Sequence, residues 1–173
     1  MIKLKVCMIG AYAVGKTSLV ERYVRSLYSD DYHTTIGVKI DKKELTVDDK
    51  DVTCMLWDIA GEDEFYTVNH SYLRGMAGYF LVVDGTRPAS VETATRIQER
   101  IELLCPDVPF MVLANKADLE QDWVVSGETL AGISYRPYEF FRTSAKSGDN
   151  VESAFEQLAR QMLNARKPEI AND

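Results

Sequence analysis

A chain of 173 residues, 46% apolar and 27% charged, is long enough for one α/β domain with a substantial core. Its formal net charge of −7 argues against non-specific nucleic-acid binding, and against docking on an anionic lipid surface by charge alone. No apolar run approaches the ~18 residues of a membrane-spanning helix. The three cysteines, Cys7, Cys54 and Cys105, lie far apart and read as reduced, buried thiols rather than a disulfide or metal set, which suits a cytoplasmic protein. Met1-Ile2-Lys3-Leu4 offers no glycine for myristoylation, and residues 167–173 form a short polar tail without cysteine. The expectation is a monomer with no stable membrane anchor, made of one domain over residues 1–166.

In chain order, residues 4–9 predict a strand and residues 16–26 a helix, with Leu19, Val20, Tyr23 and Val24 on the 3.6-residue period. Between them lies Gly10-Ala11-Tyr12-Ala13-Val14-Gly15-Lys16-Thr17-Ser18, the pattern G-x-x-x-x-G-K-T of a P-loop. Glycines let the backbone curl until successive N–H groups point at an anion, and the new helix adds its positive dipole end. The loop from Tyr12 through Ala13, Val14 and Gly15 to Ser18 is thus expected to cradle phosphates. Lys16 would set a charge on the β- and γ-phosphates, and Thr17 a hydroxyl on Mg²⁺.

Residues 28–37 read as loop, followed by strands over 38–47 and 52–57 joined by a hairpin turn at Asp48-Asp49-Lys50-Asp51. Asp58-Ile59-Ala60-Gly61 ends the second of these strands. An aspartate there can hold Mg²⁺ through water, and the glycine N–H can reach a γ-phosphate. Loop and helix follow to about Gly75. The apolar run 78–83 is a strand covered on both faces, and Pro88 leads into a helix over 90–104. Strand 110–114 ends in Asn115-Lys116-Ala117-Asp118. The Asp118 carboxylate can accept from both the ring N–H and the amino group of guanine, Asn115 would tie loops together, and the Lys116 stem would lie over the base. A short helix near 126–131, a strand over 138–142 and a closing helix over 151–165, with Phe155, Leu158 and Met162 inward, complete the chain. Ser144-Ala145-Lys146 after the last strand would offer a backbone N–H to the guanine oxygen. The pattern predicts an α/β fold: a six-stranded, mostly parallel sheet with one antiparallel edge strand and helices on both faces.

These boxes, in this order, resemble a small GTPase of the Ras superfamily over residues 3–163. Trp57-Asp58-Ile59-Ala60-Gly61, Thr35-Ile36-Gly37-Val38 and Tyr72-Leu73-Arg74-Gly75 are most similar to its Rab branch. The resemblance implies a Mg²⁺·GTP/GDP switch. Thr35 would close on Mg²⁺ and the γ-phosphate, Gly61 would sense that phosphate, Tyr28 would stack edge-on against guanine, and Asp30 would sit near the ribose. Effectors, and exchange and GTPase-activating proteins, would meet the two switch regions. The chain also departs from the family. Glu62 stands where a water-orienting glutamine is usual, and Tyr12 adds bulk where an activating arginine would enter. Ile40 replaces one of three effector-reading aromatics, leaving Trp57 and Tyr72; His33 and His70 are expected to be solvated. With Glu62, Lys16, Thr35 and Gly61 as the catalytic set, slow hydrolysis is expected. A hydrolysis-deficient GTP-binding module and a P-loop kinase or ATPase are the alternatives, and Asp118 argues against the last.

Overall fold

The central strand, β1 (Ile2–Gly10), runs through an almost unbroken buried stretch because neighbours cover both its edges and both its faces. It pairs in parallel with β3 (Lys50–Ile59) and β4 (Gly78–Asp84). β5 (Phe110–Asn115) and β6 (Glu139–Arg142) extend the parallel sheet on one side, and β2 (Val38–Val47) closes the other as the antiparallel edge. The order β2-β3-β1-β4-β5-β6 is the expected six-stranded architecture. The computed structural model describes residues 1–31, 34–63 and 67–166. His33 and the tail 167–173 lie outside the described residues.

Alternation along the strands divides the core in two. Val6, Met8, Phe80 and Val82 face α1 (Lys16–Arg25) and α4 (Val151–Ala165), joining Leu19, Tyr23, Phe155, Leu158 and Met162. Tyr23 stacks on Phe155 with ring centroids 3.9 Å apart, which locks the two helices together. Cys7, Ile9, Tyr79, Leu81 and Val83 point the other way, onto α2 (Pro88–Leu104) and α3 (Gly127–Ala131). Cys7 and Cys54 are buried free thiols as expected, while Cys105, just past α2, is only half-buried.

Several boundaries differ from expectation for local reasons. The hairpin turn holds two residues, not four: Asp48 and Asp49 both take positive φ, 47° and 61°, the signature of a type I′ turn whose twist suits the strands. Lys50 and Asp51 therefore belong to β3. Helix α2 begins at Pro88, whose fixed φ suits a first helical position. Between β3 and β4 the helix found among the described residues is one 3₁₀ turn, His70–Leu73, in which His70 is exposed. β6 starts at Glu139, one residue late. Because β1, β3, β4, β5 and β6 run parallel and β2 runs against them, the loops after those five strands gather at one end of the sheet with the entry to β2.

Candidate functional site

At that end lies a cavity of about 470 Å³ bounded by the loop after β1, the start of α1, residues 28–31 and 34–37, and the 59–63 segment. The P-loop backbone is fixed from outside. Gly15 sits at φ +99°, and a Cβ there would come within 2.3 Å of Asn115 Nδ2, so no other residue fits this approach. Asn115 uses that closeness: its amide donates to the Val14 carbonyl at 3.0 Å. Its Oδ1 accepts from Thr143 Oγ1 at 3.2 Å and from the Ala145 N–H at 3.3 Å. The buried Asn115 thus joins three loops, as its place after β5 suggested.

Lys16 is buried, and its ammonium donates to the carbonyl oxygens of Ala11 at 3.0 Å and Gly10 at 3.5 Å. Burial pushes this ammonium down to about 8; nearby Asp58 opposes the shift and Arg87 adds to it. Thr17 Oγ1 donates to Asp58 Oδ2 at 2.6 Å and lies 2.7 Å from Thr35 Oγ1. The other Asp58 oxygen, Oδ1, is buried and makes no hydrogen bond among the described residues. Burial raises the Asp58 carboxyl above its ordinary range, against the Thr17 hydroxyl and the Lys16 charge. Two hydroxyls and a buried carboxylate with an oxygen to spare fit a hard divalent cation. Thr17 and Thr35 are the residues that would hold it.

The 59–62 segment is pinned to the P-loop: Glu62 N–H donates to Gly10 O at 3.0 Å, and Tyr12 N–H donates to Glu62 O at 2.9 Å. A Cβ on Gly61 would fall 2.5 Å from Tyr12 Cα, so only glycine lets the segment lie this close. Ala60 N–H donates to Gly37 O at 2.9 Å, which fastens the entry to β2 onto the same segment. Tyr12 lines the cavity, and its hydroxyl lies 3.5 Å from Thr34 Oγ1 across the mouth.

Ala13, Ser18, Tyr28, Thr35 and Asp30 also line the cavity, as does Asp63. Lys116 lines it too, at a left-handed φ of 70°, with its ammonium anchored to Ala13 O at 3.0 Å and Asp84 at 2.7 Å. Asp58, Glu62, Asn115, Asp118, Ser144, Ala145 and Lys146 lie outside the lining, and Val14 is wholly buried. Asp118 is tied into the group by the Ser144 hydroxyl, which donates to it at 2.7 Å. Glu62 is buried instead of facing solvent, and Arg100 on α2 holds its carboxylate at 2.5 Å. Trp57 and Tyr72 are half-buried, 6.5 Å apart, with the Lys5 ammonium 3.6 Å above the Trp57 ring.

Four residues were not singled out from sequence. Asp84 ends an all-buried strand, a position where a lone carboxylate is itself a signal. Burial pushes its carboxyl up, but hydrogen bonds from Lys116 and Thr86 outweigh this and hold it below its ordinary value. Arg22 donates to Ala145 O at 2.6 Å and to Lys146 O, Arg87 donates to Tyr12 O, and Arg100 meets Glu62. These three arginines carry no local pattern that marks them.

The Ras-family model matches residues 5–164. Among similar proteins are Ras-related protein Rab-11C of Dictyostelium discoideum, 33% identical over 98% of this chain and 78% of that protein, and Ypt/Rab-type GTPase ypt7 of Schizosaccharomyces pombe, 37% identical over 98% and 87%. Ras-related protein Rab7 of Drosophila melanogaster is 36% identical over 98% and 86%.

Proposed function

Because the chain belongs to the Ras family of small GTPases and is Rab-like, we propose that it is a guanine-nucleotide switch that hydrolyses bound GTP slowly. The observation that carries this reading is the Thr17–Thr35–Asp58 cluster, which draws residue 35 of the first switch onto the P-loop. A cation there would neutralise charge on the β- and γ-phosphates. Asp58 accepts the Thr17 hydroxyl's hydrogen bond, so that oxygen would meet the cation with a lone pair. Lys16 supplies the point charge, and the Gly61 N–H is the donor for the γ-phosphate. Asp118, held by Ser144, selects guanine over adenine by its two acceptors.

Hydrolysis is attack of water on the γ-phosphorus with cleavage of the bond to the β-phosphate oxygen, giving GDP and phosphate. Its rate depends on what orients the water. Glu62 is engaged by Arg100, so no side chain at that position performs the task, and Tyr12 narrows the approach of an arginine from a partner. The switch segments around Thr35 and Gly61 would report the γ-phosphate to effectors and regulators. The same Glu62 contact favours, as second reading, a GTP-binding module that signals by occupancy alone.

Single-turnover hydrolysis of bound GTP with Mg²⁺ separates these. A rate below ~10⁻³ s⁻¹ but measurable supports the slow switch, and a faster unassisted rate overturns it. GTP retained intact through purification favours the module, and displacement of labelled GDP by ATP would remove guanine selectivity altogether.

A further inference from the structure

The second switch begins with two adjacent carboxylates that part company. Asp63 lines the nucleotide cavity, whereas Glu62, at the position of the water-orienting residue, turns from it and is buried under α2. There its Oε2 meets Arg100 at 2.5 Å and accepts the Val68 N–H at 3.3 Å. The Glu62 side chain is 9% exposed and Arg100 34%, so one partner is buried and the other keeps a face in water. The backbone at 62 cannot drift to relieve this, since it is bonded on both sides to the P-loop. Only the side chain has a choice of direction, and the arginine sets it.

We infer that Arg100 is a positioning residue for the proposed GTP hydrolysis: its ion pair draws the side chain at position 62 out of the nucleotide cavity and fixes the path of the chain at Val68. A buried carboxylate that loses the one cation it pairs with among the described residues has a strong reason to leave its site. With Arg100 removed, residue 62 is free to turn to the cavity, and its chemistry then matters for the attacking water. With Arg100 present, the Glu62 carboxylate is held away from the attacking water. The inference rests on the GTPase reading for its kinetic consequence alone; the contact itself is independent of nucleotide chemistry.

The test crosses Arg100→Ala with Glu62→Ala and follows two readouts, single-turnover GTP hydrolysis and hydrogen exchange of the Val68 amide. Arg100→Ala should change the rate at least fivefold while Glu62 is present and less than twofold in the Glu62→Ala background, where no carboxylate remains to be redirected. Val68 exchange should quicken at least fivefold in Arg100→Ala and be largely restored in Arg100→Lys, with Arg96→Ala, on the same helix, as the unaffected control. Should Arg100→Ala not fold, Arg100→Gln and the salt dependence of Val68 exchange in the unaltered protein carry the same prediction. An effect of Arg100→Ala that is below twofold beside Glu62, or equally large in the Glu62→Ala background, overturns the inference, as does Val68 exchange indifferent to Arg100 and to salt. If the protein binds no guanine nucleotide, the proposed function fails while the exchange readout still judges the Arg100 contact.

Discussion

Lys16 is a cation placed where a cation is costly. Its ammonium is buried against carbonyl oxygens and pushed down to about 8, so the nucleotide-free protein begins to lose this charge just above neutrality. Phosphate oxygens favour the charged form, and the complex therefore holds the proton to higher pH than the free protein does. Binding in that window takes up a proton, and nucleotide affinity should fall as pH rises through about 8 and stay level below it. Calorimetric titration at pH 9 in two buffers of different ionisation enthalpy should show uptake approaching one proton; buffer-independent heats would contradict the assignment. In the free protein the sign is opposite. The unfolded chain binds more protons between about 8 and the ordinary 10.5, so this group's contribution to stability increases across that range. At this scale the sequence was most informative where chemistry and backbone coincide. Lys16 and Thr17 open α1, Asp58 is one residue before the end of β3 and Asn115 is the last residue of β5, and a local motif encodes each of them. Arg100 and Glu62 are 38 positions apart, and no local pattern records a contact that exists only once α2 packs on the sheet.

Elements were legible where burial is two-sided. The apolar runs of β4 and β5 have one conformation that covers every side chain, and their limits fell within a residue of those expected. The edge hairpin was harder, because its ends are polar and solvent-exposed, so periodicity carries little there. Four polar residues read as a turn, yet Lys50 and Asp51 pair with Val47 and Thr46. The two left over pay a conformational cost, since aspartate at positive φ is less favourable than glycine. Asp48 is worth retaining for its contact with Arg160 at 3.1 Å. Asp49 has a φ of 61°, and Asp49→Gly should stabilise the fold by about 0.5–1 kcal/mol. Urea unfolding should show a higher midpoint at unchanged slope. A lower midpoint would mean that Asp49 holds the turn by a contact worth more than its strain.

For the molecule as a whole, one end of the sheet collects buried charge, while the two cores are built mainly of apolar side chains. Asp58 is buried and raised by that burial, Lys16 is buried and lowered by it, and Asp58 Oδ1 has no hydrogen-bond partner among the described residues. A ligand that satisfies these groups binds the folded chain alone, so occupancy becomes folding free energy. At a thousand times the dissociation constant this is about 4 kcal/mol, roughly 8–16 °C in midpoint for a domain of this size. Stripping Mg²⁺ with a chelator and then removing nucleotide should lower the thermal midpoint by that order. The loss should come as a single transition, because Asn115 ties the P-loop, which leads into α1 on one core, to the loop after β6. Restoring Mg²⁺ with GDP should recover the midpoint, whereas Mg²⁺ with ADP should not, since on the proposed reading Asp118 would offer two acceptors to the guanine edge and nothing matched to adenine. A midpoint blind to the chelator would detach Asp58 and the two threonines from any cation. Recovery with ADP would leave the phosphate cradle intact and withdraw the guanine assignment.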